Sequence, residues 1–335
     1  MTDEFDTGGF NTGGFNTGGS LQAGNGSAGG WRIGAMIKWL LGAFLILTLL
    51  YYPLGAFFIH RINDELDFTA PAVPAGASQT VALAAFLIER EVAGTAWPAN
   101  DPWFLPGSIL DNMPNFQKGE IQALQRVSTE LRDQIGRARG TSGADPALQD
   151  AASFLNNNPD IWYFDLNRSW APVTPSDNYY LAAMKALNEF NGRLSRGEAT
   201  FERRADNLLT TLDRIGKDLG AASNKIDTEI DTESGSWFDL EADDIFYFNK
   251  GLLYAYGLLL RELGQDFRSI LEEKGAMSIW KRMVDSMGEG ATLKPWVVIN
   301  GRPGSLVQPN HLAEQGFYLL RARAQLEEIT DILQK

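Results

Sequence analysis

The chain has no cysteine and only two histidines, and its first 31 residues contain neither lysine nor arginine. The first absence excludes disulfides, thiolate metal sites and a thiol nucleophile. With His60 beside a long apolar stretch, His311 is left as the one histidine for general-base work. A lone histidine near a helix start reads as a cap or surface residue rather than a base. GxSxG, HExxH and P-loop patterns are missing as well. Positive charge is scarce: 29 Lys and Arg stand against 42 Asp and Glu, a net charge of −13. That excess withholds the basic footprint that nucleic acid requires and disfavours a domain lying flat on anionic lipid.

What is present is a 21-residue uncharged run, Trp39 to Ile59. As a helix it reaches roughly 30 Å, the thickness of a bilayer's hydrocarbon core. Lipid offers no partner to backbone N–H or C=O groups, so such a run must be helical. A signal peptide would carry a basic start and a shorter apolar core, and a buried soluble helix of this length would show a polar face. The run therefore reads as one uncleaved span with flanks, over 31–61. Pro53 removes one helical hydrogen bond and bends the last third. Arg32 and Lys38 precede the span and Arg61 follows it, which sets the N-terminus in the cytoplasm by the positive-inside rule.

Before the span, three five-residue repeats (Phe5–Gly9, Phe10–Gly14 and Phe15–Gly19) lead into Gly, Ser and Asn up to Gly30. Paired glycines and three Phe cannot offset the entropy of a fixed fold, so residues 1–30 read as a disordered tail. It is either a linker or a row of Phe contacts for a cytoplasmic partner.

Beyond the span, 62–77 reads as a Pro/Ala/Gly linker and 78–335 as a helical domain large enough to bury its own core. Ser78 is the expected N-cap of a helix from about Gln79 to Val92. Ile121 to Ala138 mark a second helix ending near Arg139–Gly140, and Pro146–Asn156 a short third. From Tyr180 to Ile226 apolar residues recur at three- and four-residue steps for more than six heptads, broken near Arg196–Gly197. This is either one long helix or two joined at the break. Its seam is covered by the rest of the chain or by a second copy in a coiled coil. Leu240–Glu273 reads as the central buried helix and Asn310–Leu333 as the last. Trp296–Ile299 is the one strand-like piece, a small β-hairpin near 296–305 or an extended crossover. The fold class is all-α: a single N-terminal transmembrane helix, then an elongated helical bundle.

Two groups of residues could carry a ligand. Eight acids fall between Asp227 and Asp244 with no intervening base. Asp231, Glu233 and Asp239 are the candidate cation ligands there, although the EF-hand register fails at Gly235 and Ala242. A solvated acidic loop is the plainer reading. The other group is aromatic: Trp97, Trp103, Trp162 and Trp170 stand in Pro-bearing loops, with Asp165 and Arg168 close in sequence. Such rings either pin loops onto a core or bind a glycan or protein partner.

A single span, Trp-Pro-Asn/Asp loops, the run Trp103-Phe104-Leu105-Pro106 and then helices resemble a family of uncharacterised proteobacterial membrane proteins, domain of unknown function 2333. The resemblance covers the span to the C-terminus and implies a bacterial inner-membrane protein; it carries no catalytic, cofactor-binding or metal-binding residue. The expectation is a tethered periplasmic domain that binds a protein partner or a second copy of itself, without catalysis or cofactor. A peptidoglycan-binding module is the alternative, and an uncharacterised hydrolase the last choice.

Overall fold

A computed structural model describes residues 27–68, 72–137, 143–165, 169–235, 239–302, 304–305 and 307–335. The Phe repeats lie outside the described residues. Helix α1 (Ser27–Ile59) starts upstream of Trp31, and its portion Ile33–Ile59, 27 residues, is long and apolar enough to cross a membrane. At 1.5 Å per residue that portion is about 40 Å long, more than a hydrocarbon core requires. The hydroxyl of Thr48 is satisfied within the helix by the carbonyl of Phe44 at 2.9 Å. The chain divides after Leu50, and Tyr51–Lys335 form the second unit.

That unit is all-α. Ser78 caps α2 (Gln79–Ile88), its hydroxyl accepting from the Val81 N–H at 3.2 Å. Asp266 reinforces the cap by accepting from both the Ser78 hydroxyl and the Thr80 N–H, at 2.6 and 3.1 Å. Helix α2 widens into a π-helical turn, Glu89–Gly94, and α3 (Asn112–Glu130) does the same at Leu131–Ile135. Helix α4 (Pro146–Leu155) starts on an Asp145 cap with proline in its first turn.

The heptad pattern is divided between two helices, α5 (Ser176–Ser195) and α6 (Ala205–Glu233), which part at Gly197, where φ is +73°. Their seam residues Tyr180, Leu187, Leu208, Leu212, Ile215 and Leu219 are all fully buried inside this chain. Helix α5 packs on α4 and α2, whereas α6 runs along the last helix, α10 (His311–Gln334).

Helix α7 (Leu240–Asp266) is the centre of the unit; Leu252 to Leu260 are buried without a break, as a core helix surrounded on all sides must be. It packs most closely against α3. Gly119 and Gly251 make this approach possible, because a Cβ on either would overlap the facing carbonyl of Phe248 or Phe116. After the short α8 (Arg268–Glu273), Gly275 turns the chain with φ +68° into α9 (Met277–Ala291). Helix α9, for which no element is expected from sequence, buries Ile279, Trp280, Met283 and Met287 against α7 and α10.

Of the two alternatives over 296–305 the hairpin is not seen: no strand occurs among the described residues, and the one ladder contact among them is an isolated antiparallel bridge, Asn300 to Asn310. Trp296 and Val297 stand in solvent, so no second strand covers them. The segment is an extended crossover held by asparagine side chains.

Candidate functional site

Where α1 ends, the chain does not become a loose linker. Residues 60–68 lie as an extended strap against α7, whose Lys250, Tyr254 and Arg261 share one helical face. The buried Lys250 ammonium donates to Asp64 Oδ2 at 2.8 Å and to the carbonyls of Ala291 and Leu293 at 2.5 and 2.8 Å. Lys294 reaches the other carboxylate oxygen of Asp64 at 2.9 Å. Tyr254 donates to the Glu65 carbonyl at 2.9 Å, and Arg261 to the carbonyls of Leu66 and Phe68 at 2.8 and 3.3 Å. Phe68 then stacks on Phe86 of α2 with ring centroids 4.6 Å apart. Burial pushes the Asp64 carboxyl up, but the two ammoniums outweigh it and hold it below the usual range. Burial also pulls Lys250 down, against the opposing pull of Asp64.

Behind the strap lies a closed set of ionisable groups. Arg90, in the π-helical turn, donates to Glu91 at 2.7 Å, to Glu120 at 2.8 Å and to the Tyr254 hydroxyl at 2.7 Å. Gln117 donates to the second oxygen of Glu91 at 3.1 Å and to the carbonyl of Ala96 at 3.0 Å. Ala96 has φ +82°, a left-handed conformation that a Cβ disfavours, and the Gln117 bond helps to hold it. Glu120 is fully buried; burial and the neighbouring Glu91 push its carboxyl well above the ordinary value, although Arg90 pulls the other way. One guanidinium thus faces two carboxylates in a low-dielectric interior, which favours the protonated form of Glu120. Tyr254 joins this cluster to the strap by accepting from Arg90 and donating to Glu65.

The aromatic loops separate into core and surface. Trp97 is buried, donates from Nε1 to the Pro159 carbonyl at 2.9 Å and meets the Tyr180 ring edge-on at 5.0 Å. It pins the loop to α5 and presents no face to a ligand, which corrects its place among the binding candidates. Trp103 and Trp170 are 80% and 91% exposed. Phe104 bridges Trp103 and Trp162 through edge-to-face contacts at 5.7 and 5.5 Å, and Trp162 continues to Phe164 at 5.7 Å. The Asp165 carbonyl accepts from the Ser169 N–H at 2.9 Å, and Arg168 lies outside the described residues. This loop and the last turns of α1 meet: Tyr51 and Tyr52 donate to the carbonyls of Phe104 and Trp103 at 3.2 and 2.8 Å, and Gly55 faces the Pro106 ring.

The acidic run is organised by an asparagine. Asn300, fully buried, donates to the Glu229 carbonyl at 3.2 Å and to Asp239 at 3.3 Å, while its own carbonyl accepts from Gly235 N–H at 2.7 Å. Asp239 is the N-cap of α7, accepting from Ala242 N–H at 3.0 Å. Asp231 and Glu233 point to solvent from the end of α6, so the three candidate cation ligands do not converge. Among the described residues no group of three metal-ligating side chains forms. Glu229 beside them is pushed up to about 7, by burial first and then by Asp239 and Glu241. His311 starts α10 and its Nδ1 accepts from the Ile299 N–H at 3.0 Å; burial holds it below the ordinary histidine value. It serves as a backbone acceptor.

Residues 31–236 and 227–335 match the family described as uncharacterized protein conserved in bacteria, DUF2333. The chain belongs to this family. The two matched stretches together run from Trp31 to the last residue and so take in most of α1, the strap and the helical unit. No curated protein and no solved structure matches the chain.

Lys250 and Arg90, which hold the strap and the buried cluster, went unread in the sequence. Their signal is there: Lys250 directly precedes the uncharged run Gly251–Leu260 in α7, and Arg90–Glu91 follows the apolar run of α2. A charge bordering an apolar run requires a partner when buried, but only the fold names it.

Proposed function

We propose that this DUF2333 protein is an inner-membrane-anchored envelope protein whose periplasmic helical domain acts by binding, as a scaffold or docking module, rather than by catalysis. The observation that carries this reading is the strap. Residues 60–68, directly after α1, are tied to α7 through Asp64, Glu65, Leu66 and Phe68. Ordering this segment on the helical core leaves the domain's faces preorganised, which suits docking. The ionisable cluster around Arg90 supports the same side of the choice. Its carboxylates are buried, whereas a catalytic acid must reach its substrate.

Exposed apolar side chains away from the span, Phe317 and Leu320 on α10 and Val307 before it, are the surfaces on which to look for the partner. A photo-crosslinking residue placed at 307, 317 or 320 in living cells is expected to capture a discrete protein, identified by mass spectrometry. The absence of adducts at all three, with loss of phenotype on replacing His311 or the acids 227–244 in a folded protein, would overturn the binding reading in favour of a hydrolase. Orientation is tested separately. Alkaline phosphatase fused after Lys335 should be active, and a fusion active only as a cytoplasmic reporter would reverse the topology.

A further inference from the structure

We propose that the loop Pro102–Leu110 is a membrane-inserted wedge, a second contact with the bilayer whose ligand is the interfacial lipid layer beside α1. The inference rests on the reading of α1 as a membrane span and adds a site to it. Tyr51 and Tyr52 lie in the last third of the apolar portion Ile33–Ile59, toward its domain end, and tyrosine rings concentrate near that side of a span. Both donate to the loop, to the carbonyls of Phe104 and Trp103 at 3.2 and 2.8 Å. Pro106 packs against Gly55 one turn further along. The loop is thus held beside the span, roughly 11 Å short of the helix end at Ile59.

Its chemistry fits lipid. From Pro102 to Leu110 there is no charged residue, and Trp103, Phe104 and Ile109 are turned outward. Much of the backbone is paired, which lowers the cost of a lipid environment. The carbonyls of Pro102, Leu105 and Gly107 accept from Leu105, Ser108 and Leu110 N–H groups at 2.8, 3.2 and 3.0 Å. The carbonyls of Trp103 and Phe104 accept from the two tyrosines, and the Ser108 hydroxyl turns inward to Leu105 at 2.7 Å. A sugar-binding loop would present charged or amide side chains to its ligand; this one has none from Pro102 to Leu110 and turns rings and aliphatic groups outward. The rings of Trp162 and Phe164 extend the same aromatic surface. Trp and Phe at this height supply large apolar area, and Trp also supplies a polar edge for the headgroups.

The absence of cysteine makes the test direct. Single variants Leu45→Cys, Trp103→Cys, Ile109→Cys and Phe317→Cys of the full chain are spin-labelled and placed in phosphatidylcholine nanodiscs. Labels at 103 and 109 should be severalfold more accessible to oxygen than to a water-soluble nickel chelate, as at 45, while the label at 317 reads as aqueous. Aqueous values at 103 and 109 with a lipid value at 45 would overturn the wedge and leave the anchor standing. An aqueous value at 45 would remove the anchor and the wedge together. Brominated phosphatidylcholine gives a label-free check, since it should quench native tryptophan emission less in Trp103→Phe. Equal quenching would count against insertion, and protection of 103 only on adding muropeptides would assign the loop to glycan.

Discussion

Arg90 stands between two carboxylates and a phenol in the interior, and this arrangement makes unequal demands on its members. Removing the guanidinium leaves Glu91 and Glu120 buried without a counter-charge, whereas Glu120, whose carboxyl burial and Glu91 push well above the ordinary value, loses less on becoming a neutral amide. Arg90→Met is therefore expected to cost about 3–5 kcal/mol of stability, and Glu120→Gln less than about 1 kcal/mol. Urea unfolding of both variants in detergent checks this, and equal losses would contradict the upward shift of Glu120. Glu229 gives a pH-dependent case. Its folded value of about 7 lies above the ordinary 4.5, so the folded state holds the proton more tightly across that window. Stability is fullest below the ordinary value and is lost as pH rises through about 7. Glu229→Gln should remove that loss, giving a gain of about 1 kcal/mol at pH 8 once solvent contact is allowed for. No gain should appear at pH 4, and thermal melts at the two pH values measure it.

Among the elements, α6 shows what a heptad seam does here. Leu212 and Ile215 are buried against α10 of the same chain, so the seam's apolar face is already occupied. Leu212→Asp places a charge in that packed interface and is expected to cost more than about 3 kcal/mol. The loss should be seen as unfolding of the monomer in a concentration-independent melt, whereas a seam that joined two copies would make the melting temperature depend on protein concentration. The break between α5 and α6 at Gly197 was legible as an interruption, but not which partner each half would choose. Periodicity marks the face to be covered and says nothing of what covers it. Helix α9 escaped notice because its buried face includes Ser286, Gly288 and Gly290, residues that read as loop until α7 and α10 are seen to close over them.

At the scale of the whole molecule, the junction of span and domain is the feature on which the proposed function turns. A flexible Gly-Ser segment inserted between Ile59 and His60 leaves the anchor and the helical core chemically intact, but it frees the strap and loop from α1. The variant is expected to fractionate with membranes and to melt close to the parent, while crosslinks from Phe317 to a partner are lost. Undiminished crosslinks would show that an ordered junction is not needed. The linker expected over 62–77 begins instead as this strap, because Asp64 finds Lys250 and Lys294, and backbone carbonyls find Tyr254 and Arg261. Those partners are more than 180 residues away in sequence.

By itself the sequence determined the apolar span, the all-α class, the cap at Ser78 and the acidic surface, since each follows from local composition or from a period of a few residues. Only the tertiary structure decided that Trp97 is core and Trp103 surface, that Asn300 gathers the acidic run, and that a loop fifty residues downstream lies beside the tyrosines of the span. The reason is that a hydrogen bond or a buried charge depends on distance in space, and residues far apart in sequence become neighbours only when the chain closes around α7.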